Sequence, residues 1–323
     1  MKNLNKAIIP VAGLGTRLFP ATKAIPKELL PILDKPIIEY IVEEISLSGV
    51  KEVIFISRSG KESIKNHFAK DLKLENNLKK LGKKNIIETF HNPLFKNIKF
   101  KYINQEKPLG LGHAISCAQH QVKDEDFFLV ILPDEYIVSE RKENDITSMV
   151  KSNLKDKLGR ILVEKIPKKR SKNYGIIDFC KDKKSPNKFI NLIQEKPNPS
   201  DGKSNYRVVG RYILPREIMN FLSNEKPSAN GEIELTSSIN KLLLKSPRTI
   251  IAQTSESKIF DCGSKEGFLG ANIFTAMQDK VLKKQINKLI SPGGGIGRHK
   301  GLKIPRRQLR AGSSPALGTK LRY

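Results

Sequence analysis

The chain has 323 residues, of which 38% are apolar and 28% are charged, and its formal net charge at pH 7 is +26. This length and apolar content suffice for one α/β domain with a sizeable core. The three cysteines, Cys117, Cys180 and Cys262, have no C-x-x-C spacing, which argues against a disulfide scaffold or a cysteine zinc site. We expect a cytoplasmic protein with no membrane contact, because the N-terminal apolar run and Phe127–Leu132 are too short for a signal peptide or a membrane span.

The positive charge is spread along the chain rather than gathered in one motif. Residues 290–323 hold eight Lys and Arg and no acidic residue, and the other 289 residues keep 51 basic against 33 acidic residues, a net charge of +18. These lysines are scattered and have few aromatic neighbours, so we expect a solvated surface that helps to attract triphosphates, and no nucleic-acid partner. A basic nucleic-acid-binding protein is the remote alternative.

Strands and helices alternate along the first part of the chain. The predicted strands are 6–11, 51–57, 98–104 and 126–132, and the predicted helices are 36–49, 61–82 and 111–121. Almost continuous apolar strands such as 126–132 are typical of parallel strands buried on both faces. The pattern predicts an α/β fold with a doubly wound, mostly parallel, Rossmann-like sheet and helices on both faces, with ligands beyond the carboxyl ends of the strands.

The second part of the chain has shorter elements. The predicted strands are 160–166, 175–179, 189–195, 206–214 and 248–252, and the predicted helices are 215–222 and 233–244. We expect these strands to extend the same sheet, so that residues 1–289 form one domain. Residues 290–323 are basic, rich in glycine and without periodicity, and we expect them to be disordered. RRQLRAGSSPALGT resembles an out-of-frame translation of a transfer-RNA gene, and our hypothesis is that this tail is read-through or a gene-call error. The alternative is a genuine basic tail.

A glycine-rich loop follows the first strand. Glycines at 13 and 15 let backbone N–H groups approach an anion, Arg17 adds a fork of donors that suits phosphate oxygens, and Lys27 follows within reach. The loop therefore predicts a nucleotide triphosphate site. A dinucleotide fingerprint lacks its third glycine here, since Leu18 stands at that position, and a P-loop lacks its G-K-[ST]. A plain turn would explain the glycines but not the basic residues or the three prolines.

Two aspartates follow apolar segments far apart in the chain. Asp134 stands where the strand 126–132 stops, and Asp261 stands two residues before Gly263. Two carboxylates suit Mg²⁺, which takes a few carboxylates together with phosphate oxygens and water. The alternatives are a helix N-cap for Asp134 and a turn for Asp261.

Two further segments carry polar residues that suit a nucleotide and a sugar. In Q-E-K-P-L-G-L-G-H-A, Gln105 offers a donor and an acceptor to a pyrimidine edge, and His113 is interpreted as structural. In Q-E-K-P, Glu195 is suited to accept from sugar hydroxyls and Lys196 to hold a sugar phosphate, although E-K-P is also a common surface turn.

The run Gly13–Pro31, GLGTRLFPATKAIPKELLP, resembles the signature of sugar-1-phosphate nucleotidylyltransferases, and further motifs follow in order over residues 4–280. Ala24–Glu28 resembles the members that use UTP and glucose 1-phosphate, whereas thymidylyl members typically carry Ser-Lys-Gln at that place. The resemblance implies transfer of the uridylyl group of UTP to glucose 1-phosphate by in-line attack, with Mg²⁺ as cofactor and without a covalent intermediate. A sibling enzyme for dTTP or another sugar 1-phosphate is the alternative, and a homodimer or homotetramer is implied.

The resemblance also implies roles for individual residues. It divides the chain into a nucleotide half, about 1–135, and a sugar half, about 136–289. The implied catalytic residues are Arg17, Lys27 and Lys196. The implied nucleotide-binding residues are Ala12, Gly13, Leu14, Gly15, Thr16, Gln105 and Gly110. The implied sugar-phosphate residues are Gly175, Glu195, Lys196 and Gly210, and the implied metal ligands are Asp134 and Asp261. Glu135-Tyr136, directly after Asp134, departs from the family pattern.

Overall fold

The computed structural model describes residues 4–180, 187–201 and 204–290. The strands are β1 (Lys6–Pro10), β2 (Pro31–Ile32), β3 (Lys35–Pro36), β4 (Glu52–Ser57), β5 (Lys99–Asn104), β6 (Phe127–Ile131), β7 (Glu135–Val138), β8 (Gly159–Lys165), β9 (Gly175–Phe179), β10 (Ile190–Glu195), β11 (Tyr206–Pro215), β12 (Ile250–Thr254) and β13 (Lys258–Asp261). The α-helices are α1 (Ile37–Leu47), α2 (Glu62–Phe68), α3 (Leu72–Lys80), α4 (Lys84–Phe90), α5 (Gly110–Ser116), α6 (Asp145–Asp156), α7 (Ile218–Ser223), α8 (Leu235–Lys245), α9 (Lys265–Gln278) and α10 (Lys280–Ile290). The expectations for residues 291–323 lie outside the described residues.

Nine of the described strands form one sheet. Its order is β10-β9-β11-β6-β1-β4-β5, with β8 paired to β11 and β12 paired to β8. The pairs among β1, β4, β5 and β6 are parallel, as is β8 with β12. Strands β10 and β11 run against the direction of the other seven. The predicted α/β fold with a mostly parallel sheet is therefore confirmed, and the second half of the chain extends the same sheet.

The central strands are buried on both faces because their side chains alternate between two hydrophobic clusters. Ile8 of β1 and Val130 of β6 belong to a cluster with the apolar residues of α5, α7 and α8. Their neighbours Ile9 and Leu129 belong to the opposite cluster, with the apolar residues of α1 and α6. This arrangement explains why these strands are continuously apolar in the sequence.

Several predicted elements differ from those in the structure. The helix expected over 61–82 is wrong as a single element, because it divides into α2 and α3. The side chain of Asp71 accepts a hydrogen bond of 2.9 Å from the Leu74 amide and caps α3, which starts a new helix at this point. Helix α5 ends at Ser116, earlier than expected. Helix α6 and strands β7 and β13 were not predicted.

Strands β7 and β13 form a separate antiparallel pair that joins distant parts of the chain. In its register Asp261 lies opposite Glu135, and Phe260 lies opposite Tyr136. The Cys262 amide also donates a 2.8 Å hydrogen bond to the Asp134 carbonyl. This pair therefore brings the segment of Asp261 beside that of Asp134.

The residues up to Phe268 form one compact unit, and those from Leu269 form a second unit. Within the described part of the second unit lie the remainder of α9 and the whole of α10. Among the described residues, none of the helices combines the length and the apolar content that crossing a membrane requires.

A buried ion pair holds the backbone on both sides of Asp134. Arg211 of β11 is 0% exposed, and its Nη2 lies 2.8 Å from Oε2 of Glu44 in α1. Its Nη1 and Nη2 donate 2.9 Å hydrogen bonds to the carbonyls of Leu132 and Glu135. Burial raises the pKa of the Glu44 carboxyl, and Arg211 opposes that rise. The side chain of Arg211 thus holds the backbone on both sides of Asp134.

Replacement of Arg211 by Met should destabilise the fold strongly. The variant leaves the Glu44 carboxylate buried without its cation, so we expect the free energy of unfolding to fall by about 3–5 kcal/mol. Urea denaturation followed by circular dichroism measures this change. The control is Lys151→Ala, which removes the exposed pair of Lys151 with Glu143 and should cost about 0–1 kcal/mol. Equal losses in the two variants would contradict the assignment.

Candidate active site

A cleft of about 300 Å³ opens beside the ends of β1 and β6. It brings together residues that lie far apart in the sequence. The lining residues are Arg17, Leu111, Leu132, Asp134, Glu135, Asn173, Tyr174, Gly175, Ile193, Glu195, Val208, Gly210, Tyr212, Thr236 and Asp261. Six of these were predicted as site residues: Arg17, Asp134, Gly175, Glu195, Gly210 and Asp261.

The glycine-rich loop is shaped by short 3-10 turns at Thr16–Leu18, Ala21–Lys23 and Lys27–Leu29. Gly15 has a φ of 70°, and an added Cβ would lie 3.3 Å from Cβ of Lys27, so a side chain at this position would be strained and crowded. Its carbonyl accepts a 2.7 Å hydrogen bond from the Thr22 hydroxyl. Folding of the loop onto itself thus places Lys27 next to the glycines.

A buried ion pair anchors the base of this loop. Lys61 and Glu28 are 5% and 1% exposed, and Nζ of Lys61 lies 2.9 Å from Oε2 of Glu28. The same Nζ donates a 2.5 Å hydrogen bond to the carbonyl of Val11, directly after β1. The pair therefore ties the residue next to Lys27 to the end of the first strand.

Two cations and two carboxylates converge at the mouth of the loop. Nζ of Lys27 lies 2.8 Å from Oδ2 of Asp134. The guanidinium of Arg17 lies 3.7 Å from Oδ2 of Asp134 and 3.8 Å from Oδ2 of Asp261. An added Cβ at Gly263 would lie only 2.5 Å from Nη2 of Arg17, so a side chain there would push the guanidinium of Arg17 out of its present position beside Asp261.

The opposite charges in this cluster stabilise one another. Burial alone would raise the pKa of Asp134, but the charges of Lys27 and Arg17 outweigh it and hold that pKa below its usual value. Burial alone would lower the pKa of Lys27, but Asp134 and Glu28 outweigh it and raise that pKa. Both shifts favour the charged forms, so Lys27 and Asp134 form an ion pair at neutral pH.

The donor set at this point fits a magnesium ion. Mg²⁺ is usually held by one or two carboxylates together with substrate phosphates and water, and Asp134 and Asp261 present two carboxylates to one guanidinium. Among the described residues there is no group of three or more His, Cys, Asp or Glu side chains that could hold a metal alone. A metal at this position would therefore depend on ligands from a bound phosphate.

Gln105 and Gly110 lie together near the start of α5. Nε2 of Gln105 lies 3.2 Å from the Gly110 carbonyl and 2.9 Å from Nδ1 of His113. No partner for His113 was apparent in the sequence, but the structure provides one in Gln105. The segment is fixed from the other side, since the amide of Gly112 and the carbonyl of Ile233 share a 2.8 Å hydrogen bond.

Gly175 and Glu195 face each other across the antiparallel pair β9–β10. Oε2 of Glu195 accepts a 3.3 Å hydrogen bond from the Thr236 hydroxyl, and burial raises the pKa of the Glu195 carboxyl. The side chain of Lys196 is 64% exposed, with Nζ 4.0 Å from Oε1 of Glu195. Lys196 is therefore not one of the lining residues of the cleft, but its exposed ammonium group lies next to Glu195, which is.

Several lining residues have no role assigned from the sequence. Leu132, Ile193 and Val208 are apolar residues of strands or strand ends, and nothing in their pattern separates cleft residues from core residues. Tyr174 precedes Gly175, and Tyr212 follows Gly210 by two positions, whereas Thr236 has no neighbour with an assigned role. Cys262 is buried, and burial raises the pKa of its thiol to about 12, consistent with an unreactive structural cysteine.

Comparisons with known proteins agree with this architecture. The sequence profile of the nucleotidyl transferase family matches residues 6–278. UTP–glucose-1-phosphate uridylyltransferase of Bacillus subtilis strain 168 is 38% identical over 287 residues, which cover 88% of this chain and 96% of that protein.

Solved structures give the same result. The UTP-bound UGPase of Acinetobacter baumannii has a TM-score of 0.81 and 35% identity, with 89% of this chain and 98% of that chain covered. A UDP-glucose pyrophosphorylase complexed with UDP-glucose has a TM-score of 0.73 and 33% identity, with 85% and 100% covered. The chain therefore belongs to the nucleotidyl transferase family.

Proposed function

We propose that this protein transfers the uridylyl group of UTP to glucose 1-phosphate and releases UDP-glucose and pyrophosphate. The observation that carries the proposal is the convergence of Lys27 and Arg17 on Asp134 and Asp261 beside the glycine-rich loop. Further support comes from the similar proteins, whose names and titles specify UTP, glucose 1-phosphate and UDP-glucose.

In the proposed reaction a phosphate oxygen of glucose 1-phosphate attacks the α-phosphorus of UTP. A new P–O bond forms as the bond to the departing pyrophosphate breaks, so that no side chain has to act as a nucleophile. Catalysis then rests on positioning and on neutralising the phosphate charges. Arg17 and the backbone of Gly13–Thr16 would hold the pyrophosphate, Lys27 would neutralise charge beside it, and Lys196 would hold the attacking phosphate.

The remaining site residues would orient the two substrates. Gln105 and the backbone of Gly110 would contact uracil, while Gly175, Glu195 and Gly210 would contact the sugar phosphate. We propose Mg²⁺ as the cofactor, held by Asp134 and Asp261, where it would neutralise the negative charge of the phosphate oxygens.

The first test is pyrophosphate release by the full-length protein with Mg²⁺. UTP, dTTP, CTP and ATP are each combined with glucose-, galactose-, mannose- and N-acetylglucosamine-1-phosphate. We expect turnover with UTP and glucose 1-phosphate to exceed every other pair. Preference for another pair would indicate a sibling enzyme with that nucleotide and sugar phosphate. If the folded protein turned over none of the pairs, the proposal would be refuted.

Lys27 should be essential for rate, whereas a neighbouring lysine should not be. Lys27→Met removes the cation that lies 2.8 Å from Asp134, and we expect kcat/KM to fall by about 10²–10³-fold, the size of a lost charge-stabilising contact. Lys23→Met is the control, because Lys23 is an exposed lysine of the same loop. Steady-state kinetics of both variants check this, and a Lys27→Met variant that keeps most of its activity would remove Lys27 from the mechanism.

The two aspartates should determine the response to magnesium. Asp134→Asn and Asp261→Asn each replace one carboxylate by an amide, a weaker ligand for this hard cation. We expect both variants to need at least about tenfold more Mg²⁺ for half-maximal activity, corresponding to about 1.4 kcal/mol of lost affinity. Asp126→Asn is the control, since Asp126 is exposed at the start of β6. Unchanged Mg²⁺ titrations in both site variants would contradict the metal assignment.

A further inference from the structure

Glu135 follows Asp134 directly and has a defined place in the structure. Glu135 is 8% exposed and lines the cleft directly after Asp134. Its Oε2 accepts a 2.9 Å hydrogen bond from the amide of Gly210, and its Oε1 pairs with the guanidinium of Arg207. One carboxylate therefore contacts the sugar side of the cleft through two groups of β11.

Arg207 connects this carboxylate to a second wall of the cleft. Its Nε donates a 2.6 Å hydrogen bond to Oε2 of Glu164, and its guanidinium carbon lies 4.6 Å from the ring centroid of Tyr174. Tyr174 lines the cleft, and Tyr174 immediately precedes Gly175. A cation over an aromatic ring at this distance is an attractive contact that restrains the ring.

Arg207 itself is 3% exposed, so it can affect the substrate through its partners rather than by direct contact. The fork of the guanidinium fixes the relative positions of Glu135, Glu164 and Tyr174, because its donors are coplanar and cannot move independently. Glu135 is joined covalently to Asp134, which pairs with Lys27 on the phosphate side. A continuous set of contacts thus runs from the phosphate loop to the sugar side of the cleft.

We infer that Arg207, acting through Glu135 and Tyr174, is a positioning residue that holds the glucose 1-phosphate end of the cleft in register with Asp134. The inference rests on the proposed function for the identity of the two substrates. It assigns Arg207 to alignment of the attacking phosphate, whereas binding of UTP by the loop of Gly13–Thr16 and by Gln105 is independent of Arg207.

The test is steady-state kinetics of Arg207→Met with UTP and glucose 1-phosphate varied separately. We expect kcat/KM for glucose 1-phosphate to fall by about 10- to 100-fold, the scale of a misplacement of reacting groups. The KM for UTP should stay within about twofold of the wild-type value, because a contact absent from the UTP site contributes no binding there. Arg207→Lys keeps the charge but loses the forked guanidinium. Its kcat/KM for glucose 1-phosphate should therefore lie between that of Arg207→Met and that of the wild type.

Two further variants separate positioning from stability. Arg160→Met is the matched control, since Arg160 is 4% exposed and pairs with Asp156, and neither residue lines the cleft. It should lower the melting temperature without changing either KM. The double variant Glu135→Gln/Arg207→Met removes both charges of the pair. The amide oxygen of the new glutamine can still accept the hydrogen bond from the Gly210 amide. Stability should recover, but the glucose 1-phosphate defect should persist because Tyr174 lacks the nearer of its two cations and keeps only Arg170, 5.7 Å from the ring centroid.

The outcomes are distinct. A loss of kcat/KM for glucose 1-phosphate at an unchanged KM for UTP, with graded recovery in Arg207→Lys, supports the inference. Wild-type kinetics for both substrates in Arg207→Met, or an equal rise in both KM values, would overturn it while the proposed function stands. Full recovery in the double variant would also overturn it, since the pair would then serve stability alone. If the wild-type protein itself does not turn over these substrates, the proposed function fails and the inference fails with it.

Discussion

Two consecutive carboxylates, Asp134 and Glu135, lie partly or fully buried where β6 ends, and compensation of their charge organises the surrounding structure. Moving a carboxylate out of water costs several kcal/mol unless cations and hydrogen-bond donors replace the lost solvation. Lys27 and Arg17 compensate Asp134, while Arg207 and the Gly210 amide compensate Glu135. Because the donors come from the loop after β1 and from β11, the requirement for compensation fixes both segments against the end of one central strand.

The two carboxylates face different partners. Asp134 lies in the turn between β6 and β7 and contacts Lys27 of the glycine-rich loop, whereas Glu135 begins β7 and contacts Arg207 and the Gly210 amide of β11. Arg211 donates to the carbonyls of Leu132 and Glu135, on either side of Asp134. The antiparallel pair β7–β13 then sets Asp261 opposite Glu135. A short piece of backbone therefore joins the part of the cleft at the glycine-rich loop to the part at β11.

The sequence predicted the parts of this arrangement that depend on local pattern. Apolar strands, the glycine-rich loop and the two aspartates were all visible, because strand burial and loop chemistry leave a contiguous signal. The ion-pair partners of the charged residues could not be predicted. Arg207 and Arg211 lie in one strand, and the alternation of its residues does not indicate which carboxylate each arginine will contact. The break between α2 and α3 was also missed, because one capping aspartate decides it. Glu135 and Arg207 are 72 positions apart in the sequence. Such ion pairs are specified by the topology of the fold and leave no local pattern in the sequence.

The charge balance of the cleft clarifies what the net charge of +26 can and cannot do. Scattered lysines raise the general attraction for anions, but beside the glycine-rich loop Lys27 and Arg17 are already paired with Asp134 and Asp261. A triphosphate entering here would compete with these carboxylates for the same two cations and would be repelled by the carboxylates themselves. An added divalent cation would relieve both effects, since it could be shared by carboxylates and phosphate oxygens. The pairing within the protein is therefore an argument for the proposed Mg²⁺, in addition to the charge of the proposed substrate.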